Sequence, residues 1–465
     1  MEGTTDGVSA DLPYELTASE ALRAIRRRTL GVVELVRAVL DRIDAIEPQV
    51  RAWVMIDRAG ALARARELER QFEDMSARPL FGIPVGLKDI YDAQGLPTTA
   101  GFEPWKGRVP PADATTVARL RQAGAIILGK TVTTQFAFAD PPETRNPWNP
   151  ERTPGGSSSG SAAAVAARMI PLALGSQTAG SILRPAAYCG VLGLKPTYGL
   201  VSRHGIVPLA WSLDHPGPIA RSVEDLARAL GVLAGVDPCD PATRAARVGD
   251  YLAAVRHPGP PPVCLRLDDF FAAAEPPVSS QVSDALDLLA RHGAEIRHAR
   301  LVTDPRLVAD AQQTIMQVEA AELHAALHAE MADHYAPRMR ALVETGALVP
   351  ATLYVRARRV GQRFRAEMLA LLTDVDCLVL PTVSNLAPDR STTGDRRFQA
   401  PWSLIGFPAL TIPVGLVDGL PCGLQVVAGP WQEERLFRIA RWIERVLPPL
   451  PTPRLGLRGG SVSMQ

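Results

Sequence analysis

Apolar residues recur at two periods along this chain, and segments of each kind alternate. In VVELVRAVLDRIDAIE (32–47) they return every three or four positions, the spacing of an amphipathic helix, which Pro48 is expected to stop. Ahead of it, Thr17-Ala18-Ser19-Glu20 has the form of a capping box opening an earlier helix. RAWVMI (51–56) predicts a strand, and the Arg/Glu/Ala-rich 58–73 a solvated helix. GIPVGLKDI (82–90) is short, apolar and β-rich, so it predicts a buried strand with Lys88 near its end. A helix over 114–124 and a strand over 125–130 follow. This alternation argues for an α/β layered fold with a mostly parallel or mixed sheet.

The pattern continues with an Ala-rich helix over 161–168, strands at 170–176 and 191–195, and a capped amphipathic helix over 222–236. Proline crowds 237–262, which predicts loop. A helix–strand unit over 283–301 leads into a long helical region, roughly 304–372. A strand is expected at 376–382, a polar, mobile loop at 385–400, two strands within 402–429 and a helix over 432–446. No internal repeat is visible.

Length alone, 465 residues, suggests two or three domains, yet no stretch has linker composition. The net charge of +1 gives a nucleic-acid partner no electrostatic support, and no apolar run is long enough to span a bilayer. The polar, acidic N-terminus lacks the form of a secretory signal. Five scattered cysteines without a CxxC pair indicate neither a disulfide framework nor a zinc site. A cytoplasmic protein acting on a small molecule is expected, as monomer or homodimer, with no nucleic-acid or membrane partner.

The chemistry concentrates in PGGSSSGSAAAVAARMIPLALGSQTAGSILRPAAYCGVLGLKPT (154–197), which is poor in charge and dense in Gly, Ser and Ala. It holds two serine loops, 155–161 and 177–181, whose small residues let backbone amides approach a ligand. These segments, with FGIPVGLKDIYDAQGLPTTAG (81–101) upstream, resemble the amidase signature family. The resemblance is carried mainly by 80–235 and 400–446 and is thin over 237–400. It implies one large amidase domain over 1–465, an α/β/α sandwich with a mixed central sheet surrounded by helices, in which 237–400 varies and faces substrate. It also implies a trio in which Ser181 attacks, Ser157 relays protons beside a cis peptide bond and Lys88 is the base. No cofactor and no metal is implied.

The residues themselves admit plainer readings beside these. Lys88 as base must be neutral, which burial among Ile83, Val85, Leu87 and Ile90 favours; otherwise it is a lysine snorkelling at a strand end. Asp89 would oppose neutrality, but neighbours in a strand point to opposite faces. No histidine lies in either serine loop; His204 and His215 are the nearest, and the resemblance leaves both out. Ser157 is alternatively a loop serine or a helix cap, a role Ser158 and Ser159 serve equally well. Its 24-residue separation from Ser181 matches the family's relay serine. The small run Thr178, Ala179, Gly180, Ser181 suits backbone amides aimed at one oxyanion, or simply a turn.

Two departures stand out: Gln177 where the family commonly has Asp, and Ile182-Leu183 where it has an early Arg, so that Arg184 is displaced by one. The resemblance places a substrate-side wall at Gln135, Phe136, Phe138 and Ser158, although core packing accounts for the aromatics as well. Trp402 and Phe407 carry the same ambiguity. His324, His328 and His334 share a helical spacing without an HExxH motif, which predicts a solvated helix face rather than a metal site.

The expected activity is hydrolysis of C–N bonds in amides, with anilides, carbamates (urethanes) and esters as further substrates. Its rivals are the glutaminase subunit of a tRNA-dependent amidotransferase, a non-catalytic binding protein on the same fold, and a phosphate cradle at GGSSSGS, which lacks the Lys-Ser/Thr ending of a P-loop.

Overall fold

A computed structural model describes residues 12–455. Eleven strands form one mixed sheet: β1 (Trp53–Ile56), β2 (Pro84–Lys88), β3 (Ile126–Thr131), β4 (Leu172–Gln177), β5 (Leu192–Lys195), β6 (His215–Ala220), β7 (Val263–Leu267), β8 (Glu295–Ala299), β9 (Cys377–Pro381), β10 (Ala409–Val417) and β11 (Leu420–Val427). Their order is β1-β3-β2-β4-β6-β5-β10-β11-β9-β7-β8. β2 runs parallel to both β3 and β4, and β7 to both β8 and β9; the other pairs are antiparallel. Helices surround the sheet, as the α/β alternation in the sequence demands.

β2, β3 and β4 are buried at every position, which explains why they are continuous apolar runs rather than alternating ones. Because β2 lies inside the sheet, its last residue, Lys88, is carried into the interior. The carboxyl ends of the parallel strands β2 and β4 lie together, where open α/β sheets offer a crevice.

The capping box forms at Thr17, and the helix it opens runs from Ala18 to Arg26. The next helix, Val32–Val50, passes through Pro48 instead of ending there. Proline removes one hydrogen bond from its last turn, but Glu47 fastens that turn. Its carbonyl accepts from the Arg51 amide (2.8 Å) and its carboxylate from the Ala52 and Trp53 amides (3.0 and 2.9 Å). The proline-rich 237–262 is also more ordered than its composition predicts. Asp240 caps a 3-10 turn, Pro241–Ala245, and Asp250 caps a helix, Tyr251–Arg256.

The segment expected as a mobile loop, 385–400, is pinned instead. Arg184 donates to Gly394 O (2.8 Å), Arg338 donates to Ser391 O (2.9 Å), and a helix missed in the sequence, Ala400–Ile405, follows directly. The three histidines do not share one environment: His334 is exposed and His328 half-buried, as a solvated face requires, but His324 is not. His324 is buried, with Nδ1 2.9 Å from the Tyr335 hydroxyl and its ring on Phe136, and His334 meets Phe102. Tertiary packing against the 102–136 region decides this, and a helical period cannot report it. Among the described residues no helix is long and apolar enough to cross a membrane. The acidic N-terminal start at 1–11 lies outside the described residues.

Candidate active site

Lys88 is fully buried, with Nζ 2.6 Å from Ser157 Oγ and 2.8 Å from Ser176 Oγ. Burial drives its ammonium well below the ordinary lysine range; the Asp214 carboxylate pulls the other way, and the Arg184 guanidinium adds to the depression. Asp89 points elsewhere, as alternation along a strand requires. Its carboxylate pairs with Lys130 Nζ (2.9 Å), both groups being fully buried, and accepts from Thr99.

Ser157 follows a cis peptide bond from Gly156. The neighbouring serines are occupied by backbone: Ser159 Oγ donates to Gly155 O (2.7 Å) and Ser161 Oγ to Leu174 O (2.9 Å). Ser158 holds the N-cap position of the helix Ser159–Ala166, but its hydroxyl makes no cap bond. It accepts from the Ser176 amide (3.2 Å) and lies 3.3 Å from Ser176 O, so it braces β4 rather than facing a substrate. Gly155 has φ +79°, and a Cβ there would meet Pro185 Cα at 2.8 Å, so the glycine pair lets this loop pack on the second one.

Ser181 opens onto a cavity of about 410 Å3, and the two serine loops meet where the Ser158 amide donates to Ser181 O (3.4 Å). Among the described residues no hydrogen bond joins the Ser181 and Ser157 hydroxyls, and the amides of Ala179, Gly180 and Ser181 have no partner. The turn that presents them is held from behind. Gln177 Oε1 accepts from the Ile182 and Leu183 amides (both 3.0 Å), Ser403 Oγ donates to Ala179 O (2.9 Å), and Gln312 donates to Thr178 O (3.0 Å). The Thr178 hydroxyl donates to Asp214 (2.5 Å). Gln177 thus accepts backbone bonds with no charge of its own.

Arg184, buried and displaced by one position in the sequence, turns out to lie at the centre. It donates to Gly156 O (2.6 Å), the carbonyl of the peptide bond to Ser157, and lines the cavity. Ser176 and Asp214 were not singled out in the sequence. Ser176 looked like one more serine in a strand, and Asp214 stands alone before His215, so neither bears a motif. Both line a second cavity of about 200 Å3, which shares Ala137, Thr178 and Leu209 with the first. His215 is structural, its Nδ1 lying 2.6 Å from Leu213 O and 3.2 Å from Gln177 O across β4 and β6. A larger cavity, about 480 Å3, shares no lining residue with the first.

Of the expected substrate wall, only Phe138 lines the main cavity. Gln135 is spent on the 334–336 backbone, donating to His334 O (3.0 Å) and accepting from the Ala336 amide (2.7 Å). Phe136 is buried in an aromatic cluster with Phe102, Trp105 and Tyr335. Trp402 and Phe407 are core residues. Among the described residues no group of three His, Cys, Asp or Glu side chains is placed to hold a metal.

The site brings a buried lysine onto two hydroxyls, beside a serine with free amides around it, and the chain that carries it belongs to the amidase signature family. Residues 34–437 match the Amidase family, including 237–400, where the sequence likeness had looked thin. The chain is 37% identical over 475 residues to a glutamyl-tRNA(Gln) amidotransferase subunit of Roseiflexus castenholzii, covering 93% of this chain and 96% of the relative. The native peptide amidase of Stenotrophomonas maltophilia superposes with a TM-score of 0.83 at 32% identity, covering 96% and 99% of the two chains. The corresponding glutamyl-tRNA(Gln) amidotransferase subunit of Thermotoga maritima gives 0.80 at 30%, covering 98% and 100%.

Proposed function

We propose that this chain hydrolyses C–N bonds of amides through an acyl-enzyme on Ser181. The observation that carries the reading is the buried amine of Lys88 within 2.6 Å of Ser157 Oγ. A neutral amine has one lone pair and two N–H donors. With one N–H donated to Ser176, the lone pair faces the Ser157 hydroxyl and takes its proton. Ser157 in turn takes the proton of Ser181 as Oγ attacks the carbonyl carbon. The free amides at Ala179–Ser181 meet the oxyanion that forms. The proton returns along the same path to the leaving nitrogen, and water then frees the acyl group by the reverse relay. The hydroxyls of Ser157 and Ser181 must close on each other once substrate is bound. Anilides, carbamates (urethanes) and esters fit the same chemistry.

A second reading, the glutaminase subunit of a tRNA-dependent amidotransferase, is favoured by the name shared by the Roseiflexus and Thermotoga relatives. Matched turnover of p-nitroanilides, primary amides, carbamates, esters and glutamine separates the two. Hydrolysis of non-glutamine amides is expected. Ser181→Ala should abolish it, and Lys88→Ala should lower kcat by about 10²–10⁴, while Ser157→Ala leaves a residue of activity. Ammonia release from glutamine alone would favour the second reading, and full activity in Lys88→Ala would remove the assigned base.

A further inference from the structure

The two cavities that meet at Thr178 differ in chemistry. The larger, about 410 Å3, carries Ser181 and presents Arg184, Gln313, Gln317 and Thr345. The smaller, about 200 Å3, carries Ser176, whose hydroxyl accepts from Lys88, and its wall is mainly Ile90, Ile206, Val207, Pro208, Leu209 and Trp211. The charged side chains on that wall are already committed to the protein. Asp214 accepts from the Thr178 hydroxyl and from the Leu209 and Ala210 amides (2.8 and 3.0 Å). Arg203 pairs with Asp240 at 2.7 Å and donates to the Tyr198 hydroxyl (2.8 Å). Burial keeps the His215 imidazole neutral. Trp211 is 53% exposed, yet its carbonyl is fastened by the Tyr198 hydroxyl (2.8 Å), so a large aromatic face is offered on a fixed backbone. An apolar cavity of roughly 150 Å3 takes a benzene ring, so this one has room for a single ring.

An amide is planar and trans, so its acyl and amine substituents leave the C–N bond in opposite directions and need separate spaces. With the carbonyl carbon at Ser181 and the nitrogen turned toward the Lys88 side that reprotonates it, the acyl group enters the larger cavity. The amine substituent then enters the smaller one, beside Ser176. We propose that the smaller cavity is the amine-side subsite and takes the single aromatic ring of an N-aryl amide. The proposal rests on the amide-hydrolase reading for the direction of the bond, but filling the cavity with a ring needs no turnover. Primary amides and glutamine, which release ammonia, leave the subsite empty. The substrate class is therefore an anilide rather than an amide of ammonia.

The test uses the full-length Ser181→Ala chain, which cannot turn substrate over, and isothermal titration with three amides. Butyranilide carries the ring on nitrogen, its isomer 4-phenylbutyramide carries the same ring on the acyl side, and butyramide has no ring. Butyranilide is expected to bind about tenfold or more tighter than butyramide, and severalfold tighter than its isomer. Val207→Phe or Ile206→Phe, added to Ser181→Ala, fills the cavity and should erase the advantage over the isomer. Equal or tighter binding of 4-phenylbutyramide overturns the proposal, as does failure of butyranilide to bind. An advantage that survives both fillings in folded protein overturns it too. The isomer comparison needs neither filling variant, so a misfolded variant leaves the proposal testable. Absence of hydrolysis with every amide would sink the hydrolase reading while leaving this comparison intact.

Discussion

Lys88 feels two charges of opposite sign on a background of burial, and that balance sets where activity appears on the pH axis. Below its working pKa the group is an ammonium and has no lone pair for Ser157, so kcat/KM should fall as pH drops through that pKa. Because burial depresses the pKa, the midpoint should lie below the range of a solvated lysine. Asp214 raises the pKa, so Asp214→Asn should move the acid limb to lower pH. Arg184 lowers it, so Arg184→Gln should move the limb to higher pH. Profiles of kcat/KM for the three proteins decide this; limbs that stay together, or move the same way, would remove Lys88 as the titrating group. At this scale the three residues of the proposed relay were legible because each sits in a dense local motif. Ser176, Asp214 and the true position of Arg184 were not, because each acts through a residue far away in the chain.

The strands that deliver the site depend on a second buried lysine. Lys130, on β3, pairs with Asp89 just past β2 and also donates to Thr98 Oγ1 (2.8 Å) and Pro97 O (3.1 Å). It therefore ties the chain leaving Lys88 to the neighbouring strand. Lys130→Met would leave a buried carboxylate without its cation, and should cost about 3–5 kcal/mol. The check is a lower urea midpoint at unchanged m-value, with part of the loss recovered by adding Asp89→Asn. A midpoint that stays put would show the pair to be replaceable. β2, β3 and β4 were legible because strands buried on both faces are written as unbroken apolar runs. The helix over 32–50 was misjudged at its end because the sequence shows Pro48 but not Glu47 reaching forward to two amides. The same holds for 385–400: its polar composition is that of a loop, while Arg184 and Arg338 fasten it from distant elements.

For the whole molecule, the question is whether the site is complete in one chain. Every group in the proposed route, from Lys88 through Ser157 and Ser181 to the amides at 179–181, comes from this chain, and so does Arg184 on the cavity wall. Nothing in the route waits for a residue from elsewhere. The chain purified alone should therefore hydrolyse a suitable amide, with a specific activity independent of protein concentration. Light scattering and turnover measured over roughly a hundredfold dilution check this together, since an obligate assembly loses activity by mass action as it dissociates. A protein that works only within an amidotransferase should instead be nearly silent until its partners are added. That outcome would tell against self-sufficiency even if Lys88 and the two serines behaved as proposed.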